Sequence, residues 1–155
     1  MTLKKGQQAP DFTLPANNGE NVSLEDYKGK NVVLYFYPKD MTPGCTNEAC
    51  DFRDNHQSFE ELDAVILGVS TDPVESHKKF IEKNDLPFLL LADENHEVAE
   101  KYGAWKLKKR GGEETYGMER STFIIDKDGN LQEEFRQVKV DGHVEEALNY
   151  IKENL

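Results

Sequence analysis

The segment from residue 31 to residue 45 constrains the fold most strongly. Asn31–Tyr37 is a nearly continuous run of apolar, β-branched and aromatic residues, which is typical of a strand buried on both faces. A few residues later, Thr42 is a favourable helix N-cap and Pro43 suits the first helical position. The order strand, short loop and helix is the unit from which α/β proteins are built.

Cys45 occupies the first turn of this predicted helix. Unpaired backbone N–H groups and the positive end of the helix dipole meet there, and both favour an anionic side chain. A cysteine in this position becomes more acidic and more nucleophilic. The preceding strand also delivers the helix start to the carboxyl edge of the sheet, where open α/β sheets place their sites. We therefore predict that Cys45 is a reactive thiol and not only a small buried apolar residue.

Strand and helix patterns repeat along the rest of the chain. Leu14 and Val22 alternate with polar residues on the two sides of Asn17-Asn18-Gly19, which predicts a β-hairpin before the first long strand. Asp72 is a candidate cap for a helix that ends near Asn84. Further strands are predicted over residues 64–70, 88–91, 121–126 and 131–138, and further helices over residues 94–102 and 144–155.

The length and this alternation define the expected architecture. A chain of 155 residues can bury a core that needs no disulfide. We predict one α/β domain over residues 1–155, with three layers, a mixed central sheet and an N-terminal β-hairpin. Residues 106–112 are expected to form a cationic, glycine-containing loop at its surface.

The charge and the cysteine content exclude several classes of function. The chain has 30 acidic and 19 basic side chains and a formal net charge of −11, so nucleic acid and anionic membranes should be repelled. Its apolar runs are too short to cross a bilayer, and residues 1–6 do not lead into the apolar stretch of a signal peptide. Two cysteines are too few for a secreted disulfide framework. We therefore predict a cytoplasmic protein.

Cys50 is the only other cysteine, five residues after Cys45. In an unbroken helix, residues five apart have Cα atoms separated by about 8 to 9 Å. A disulfide tolerates at most about 7 Å, so a bond between these two cysteines requires the first turns of the helix to unwind. The alternative is that Cys50 is an inert thiol.

Metal binding is a competing explanation for paired cysteines. Two thiols without a second pair of ligands do not make a tetrahedral zinc site, and the four histidines are scattered at unrelated spacings. His77 shares a predicted helix face with Val74 and Ile81, which favours a histidine at the edge of the core over a ligand. A Cys–His pair of nucleophile and base stays open, because such partners can be distant in the sequence.

The residues around Cys45 also resemble a known family. Pro38, Thr42 and Cys45 match the peroxiredoxin signature, in which a proline and a threonine or serine precede the peroxidatic cysteine at fixed spacings. Three further features resemble the bacterioferritin comigratory protein (Bcp) or PrxQ branch of this family. They are the spacing to Cys50, the segment Tyr102-Gly103-Ala104-Trp105 and the later segment 120–126. The resemblance covers nearly the whole chain, and it implies a thioredoxin-like fold and thiol-dependent reduction of peroxides.

The resemblance also implies a role for each matching residue. Cys45 would be the attacking thiolate, Thr42 would hydrogen-bond the thiolate and the peroxide, and Arg120 would stabilise both. Pro38 would form a wall of the pocket and limit water. The resulting sulfenic acid would condense with Cys50, and thioredoxin or a similar reductant would reduce the disulfide. This cycle needs no cofactor and no metal, and with both cysteines local we expect a monomer.

Two other functions compete with this one. A thiol–disulfide oxidoreductase usually has two residues between its cysteines, whereas four separate Cys45 from Cys50. A thioredoxin-fold interaction module with unreactive thiols would leave Thr42 and Arg120 without a reason to accompany Cys45.

Overall fold

The computed structural model describes residues 3–155, apart from the side chains of residues 108–110. Strands β1 (Thr13–Pro15) and β2 (Asn21–Ser23) pair in antiparallel fashion, with Leu14 opposite Val22. Gly19 adopts a φ of 84° in the turn between them, a conformation that favours glycine. The predicted N-terminal hairpin is therefore confirmed.

The other elements alternate as the sequence predicts. The remaining strands are β3 (Asn31–Phe36), β4 (Ala64–Ser70), β5 (Leu89–Ala92), β6 (Trp105–Arg110), β7 (Glu113–Met118), β8 (Ser121–Ile125) and β9 (Leu131–Phe135). The helices are α1 (Pro43–Asp54), α2 (His56–Glu61), α3 (Val74–Asn84), α4 (Glu97–Lys101) and α5 (His143–Asn154), with a 3-10 turn at Leu24–Tyr27.

A five-stranded mixed sheet forms the centre of the fold, in the order β5-β4-β3-β8-β9. Strands β3, β4 and β5 are parallel, whereas β8 and β9 run antiparallel to their neighbours. Because β3 and β8 are antiparallel, Phe36 at the end of β3 lies opposite Ser121 at the start of β8. The residue before Ser121 therefore lies beside the loop that leads from β3 to α1.

Alternate residues of β3 enter two separate apolar cores, one on each face of the sheet. Val32, Leu34 and Phe36 pack with the β1–β2 hairpin and α4, and Val33 and Tyr35 pack beneath α1 and α5. The buried residues of α5 are spaced as an amphipathic helix requires, namely Val144, Ala147, Leu148 and Ile151. The mixed sheet with layers on both faces confirms the predicted fold class.

The structure corrects several local predictions. Residues 106–112 are not a loop: 106–110 belong to β6, which pairs with β7 through a turn at Gly111 and Gly112. Strand β9 ends at Phe135, and α4 is shorter than the predicted helix over residues 94–102. Asp72 does not cap α3, because its carboxylate accepts hydrogen bonds from the backbone of Asp40 and the hydroxyl of Ser70. Such long-range partners leave no local signal in the sequence.

Between residues 3 and 155, no helix has both the length and the apolar character that a membrane span requires.

Candidate active site

Cys45 lies in the first turn of α1, at the carboxyl edge of β3. Thr42 has an extended backbone and Pro43 begins the helix, as the sequence predicts. The thiol is only 2% exposed and belongs to the core beneath α1 that also contains Ala49 and Phe52. Its surroundings are therefore apolar, apart from the polar groups described next.

Arg120 brings a positive charge to this thiol from a distant part of the chain. Its Nη2 atom donates a hydrogen bond to Cys45 Sγ at 3.3 Å. Burial lowers the pKa of Arg120, but attraction to Glu48 and to Cys45 outweighs that effect and leaves the pKa above its ordinary value. Gly44 makes room for this contact, since a Cβ atom there would lie 3.2 Å from Arg120 Nη2.

Glu48 is a site residue that the sequence reasoning missed. It is fully buried, and its Oε1 accepts a hydrogen bond of 2.7 Å from Arg120 Nη1. Burial raises the pKa of Glu48 to about 7, although the charge and the hydrogen bond of Arg120 act against that shift. Within the described part of the chain, Glu48 Oε2 has no hydrogen-bond partner. An acidic residue three positions after Cys45, on the buried face of one helix, was the signal that could have identified it.

Thr42 and Pro38 lie in the loop before the helix. The Thr42 hydroxyl donates a hydrogen bond of 2.8 Å to the carbonyl of Lys39, and its side chain does not cap α1. Since its hydrogen is used in this way, Thr42 does not donate to the Cys45 thiol the hydrogen bond that the resemblance implied, and its oxygen keeps its lone pairs for accepting a hydrogen bond. Pro38 is exposed at the start of the loop.

Aromatic side chains form the layer beneath this site. The ring of Tyr35 stacks on Phe52 and on Tyr37, with centroids 4.7 and 5.4 Å away. Burial raises the pKa of Tyr35 well above its ordinary value, so its hydroxyl stays neutral. Gly68 is needed beside it, because a Cβ atom there would lie 2.9 Å from the Tyr35 hydroxyl oxygen. The layer keeps the site in a low-dielectric environment, in which the charge of Arg120 acts strongly.

Cys50 lies on the same helix but in a more open place. Its thiol is partly exposed and donates a weak hydrogen bond to Asn84 Oδ1 at 3.8 Å. It borders a surface groove together with Asn47, Asp51, Val140 and Asp141. Both cysteines are free thiols, and α1 is unbroken between them. The structure thus brings Arg120 to Cys45 but leaves Cys50 apart from both.

Metal binding is the competing explanation for paired cysteines. No group of three or more His, Cys, Asp or Glu side chains within residues 3–155 is arranged to hold a metal ion. His77 is fully buried and bonds to Asp40 and to the carbonyl of Leu91, so neither ring nitrogen is directed at Cys45.

A buried thiol in the first turn of a helix, in contact with a guanidinium at the edge of a mixed sheet, is typical of thiol-based redox enzymes. A sequence model of the AhpC/TSA family matches residues 5–134. The chain therefore belongs to the AhpC/TSA family, and its relatives place it among the Bcp peroxiredoxins, which are peroxidases.

Those relatives align over almost their entire length. Peroxiredoxin Bcp of Bacillus subtilis is 63% identical over 153 residues, which are 99% of this chain and 98% of that protein. Peroxiredoxin Bcp of Escherichia coli is 44% identical over 98% of this chain and 97% of that protein. The resemblance to the Bcp branch and the assignment as an enzyme are thereby confirmed.

Solved structures agree with this assignment. The Xanthomonas campestris bacterioferritin comigratory protein superposes with a TM-score of 0.92 at 35% identity, over 97% of this chain and 98% of that one. A cysteine-to-serine mutant of Xylella fastidiosa PrxQ superposes with a TM-score of 0.93 at 36% identity, over 99% and 98% of the two chains. The predicted thioredoxin-like fold is confirmed.

Proposed function

We propose that this protein reduces hydrogen peroxide and organic hydroperoxides through a Cys45 sulfenic acid that Cys50 resolves as an intramolecular disulfide. Thioredoxin or a similar dithiol protein then returns the disulfide to two thiols. The observation that carries the proposal is the hydrogen bond of 3.3 Å from Arg120 to the buried Cys45 thiol.

In the first step, the Cys45 thiolate attacks the terminal oxygen of the peroxide. A sulfur–oxygen bond forms, the O–O bond breaks, and the departing hydroxide or alkoxide takes up a proton to become water or alcohol. Negative charge develops on the departing oxygen, and Arg120 together with the N–H groups of the first turn of α1 supplies fixed positive charge for it. The Thr42 oxygen is free to accept the hydrogen of the peroxide, because its own hydrogen is bound to Lys39.

Glu48 holds the guanidinium of Arg120 through the bond from Nη1, and so leaves Nη2 directed at the thiol. Because the pKa of Glu48 is near 7, it is partly protonated at neutral pH. A neutral Glu48 leaves the charge of Arg120 less compensated, and therefore more effective on Cys45.

In the second step, the Cys50 thiol attacks the sulfenic sulfur of Cys45, a disulfide forms and water leaves. Both cysteines lie in the unbroken helix Pro43–Asp54, where their Cα atoms are about 8 to 9 Å apart. A disulfide needs a separation below about 7 Å, so α1 has to unwind locally before this bond can form.

The surroundings of the two thiols support the proposed substrate and reductant. The Xanthomonas campestris relative is described for its alkyl peroxide reduction activity. In this chain, Met41 exposes an apolar side chain in the loop beside Thr42, which suits the organic part of a hydroperoxide. Unwinding of α1 would also expose the disulfide to a dithiol partner, which supports recycling by a thioredoxin-like protein. We further propose that Pro38 shields the loop side of the pocket, and that the protein acts as a one-domain monomer in the cytoplasm.

Titration of the reduced protein with hydrogen peroxide tests the cycle directly. One equivalent of peroxide should remove both free thiols, and mass spectrometry should find one chain with a Cys45–Cys50 disulfide. Thioredoxin should restore both thiols. A disulfide found only between two chains would overturn Cys50 as the resolving thiol, and a protein whose thiols do not react with peroxide would overturn the whole cycle.

A further inference from the structure

The loop between β3 and α1 is tied to the rest of the fold through one buried carboxylate. The Asp40 side chain is almost fully buried and is hydrogen-bonded to three side chains within the described structure. These are the Tyr37 hydroxyl at 2.6 Å, the Ser76 hydroxyl at 2.7 Å and His77 Nδ1 at 2.7 Å. Since a buried carboxylate without partners is very costly, these bonds hold Asp40 firmly in place.

The partners of Asp40 come from different elements. Tyr37 directly follows β3, whereas Ser76 and His77 lie on α3. His77 is itself fixed at its other nitrogen, where Nε2 donates a hydrogen bond of 2.9 Å to the carbonyl of Leu91 on β5. The backbone N–H of Asp40 adds a bond of 2.8 Å to Asp72. Asp40 therefore connects the loop to α3 and to the segment after β4, and through His77 to β5.

This connection matters because the next residue has an unfavourable backbone conformation. Met41 has a φ of 66°, in the left-handed region that costs free energy for a residue other than glycine. Lys39, on the other side of Asp40, provides the carbonyl that binds the hydroxyl of Thr42. The position of Asp40 thus determines both the backbone before Thr42 and the acceptor that orients its hydroxyl.

We infer that Asp40, held by Tyr37, Ser76 and His77, is the positioning residue that orients the Thr42 hydroxyl for the peroxide. The inference rests on the proposed role of Thr42, and it gives a function to a buried polar group that the chemical steps at Cys45 do not use. Asp40 acts only through Thr42, so it should affect attack on a peroxide far more than the general reactivity of the Cys45 thiol.

Two reactions of Cys45 separate these effects, and both are measured in a Cys50→Ser background under single-turnover conditions. One is oxidation by hydrogen peroxide and the other is alkylation by iodoacetamide, which has no peroxide for Thr42 to orient. Tyr37→Phe removes one hydroxyl from the network, and we expect oxidation to slow by about five- to tenfold while alkylation changes by less than about twofold. Asp40→Asn should slow oxidation by about a hundredfold and again change alkylation by less than about twofold.

Tyr150→Phe is the matched control for Tyr37→Phe. Its hydroxyl donates one hydrogen bond of 3.0 Å to the carbonyl of Gln132, between β9 and α5. Both rates should stay at the wild-type value in this variant. If Asp40→Asn does not fold, Tyr37→Phe and Ser76→Ala each remove one partner of Asp40 and test the same inference.

A double-mutant cycle with Thr42→Val gives the decisive result. If Asp40 acts through Thr42, adding Asp40→Asn or Tyr37→Phe to Thr42→Val should cause no further slowing of oxidation. If the rate reductions of the two single variants multiply in the double variant, the inference is wrong. It is also wrong if Asp40→Asn slows oxidation and alkylation equally. If Thr42→Val alone reacts at the wild-type rate, the proposed role of Thr42 itself is wrong. A slow Thr42→Val beside fast Asp40→Asn and Tyr37→Phe variants would refute only the role of Asp40.

Discussion

The two cysteines lie on one helix and yet have different surroundings. Cys45 is 2% exposed, packs against an apolar core and receives a hydrogen bond from Arg120. Cys50, less than two turns later, is partly exposed beside a surface groove and contacts the amide oxygen of Asn84. No difference between the two side chains themselves accounts for this, so their different surroundings are set by what the fold brings to each end of α1.

In the proposed cycle, this one helix serves two steps. A rigid, charged and water-poor site favours attack on a peroxide, since the donors are already in place when charge develops. A partly exposed thiol at the edge of a groove is suited to a later step that requires the backbone to move. Changes at α1 and at matched positions elsewhere test this difference.

The largest effect is expected from the cysteines. Cys45→Ser should abolish peroxidase turnover, whereas Cys50→Ser should consume about one equivalent of peroxide and then stop at the sulfenic acid or a mixed disulfide. Peroxide consumption and mass spectrometry of the product distinguish the two. Steady turnover by Cys45→Ser would show that Cys45 is not the thiol that attacks the peroxide.

The next largest effect is expected at Arg120. Arg120→Ala removes the guanidinium from Cys45, and we expect the rate constant for peroxide attack to fall by about 10² to 10³. Arg53→Ala is the matched control at the Cys50 end, where Arg53 donates a hydrogen bond of 2.7 Å to the carbonyl of Asn84. It should leave the first step unchanged. Stopped-flow oxidation measures both variants, and the opposite order of effects would move the catalytic cation to Arg53.

A smaller effect, on stability, is expected at Glu48. Burial raises the pKa of its folded-state carboxyl to about 7 from 4.5, so the folded protein binds more protons than the unfolded chain between these pH values. The free energy of unfolding should therefore decrease by about 3 kcal/mol as the pH rises from about 4.5 to 7. This contribution is fully present below about pH 4.5 and lost above about pH 7.

Glu48→Gln should lack this pH dependence, so its stability relative to the wild type should increase with pH. Urea unfolding of the reduced proteins at several pH values measures the difference. Glu153→Gln, at an exposed position of α5, provides the control and should follow the wild type at every pH. A Glu48→Gln curve parallel to that of the wild type would show that the carboxyl of Glu48 titrates normally.

The most local prediction concerns the shape of α1 after oxidation. Formation of the Cys45–Cys50 disulfide should increase hydrogen exchange by about tenfold or more across residues 43–52, because the helix has to unwind there. Strand β3, fully buried along its length, should keep its protection. If mass spectrometry detects the same exchange in both redox states, resolution occurs without local unfolding.

Much of the structure around Cys45, at the start of α1, could be predicted from residues close to it in the sequence. The sequence indicated a strand followed by a helix with Cys45 in its first turn, and the structure has both elements. The signals were the apolar run over residues 31–37, Thr42 as an N-cap and Pro43 after it. Arg120 was indicated only by the resemblance to a family, because its pairing with Cys45 depends on the antiparallel register of β3 and β8.

Local patterns were less informative wherever a side chain has a distant partner. Asp72 was predicted to cap a helix, but it binds the backbone of Asp40. The loop predicted over residues 106–112 is mostly a strand, because pairing with β7 outweighs the high charge of that segment. Glu48 was overlooked because an acidic residue in a helix is normally exposed, whereas here Arg120 offsets part of the cost of its burial.

The amino-acid sequence by itself determined that this is an α/β chain with a thiol at a helix start, because strand periodicity and capping depend on residues close together in the chain. Only the tertiary structure decided that Cys45 contacts Arg120, which Glu48 holds, while Cys50 borders a groove. It also decided that Asp40 joins the active-site loop to α3. Burial and long-range hydrogen bonds arise when distant segments pack together, and those two effects distinguish chemically identical side chains on a single helix.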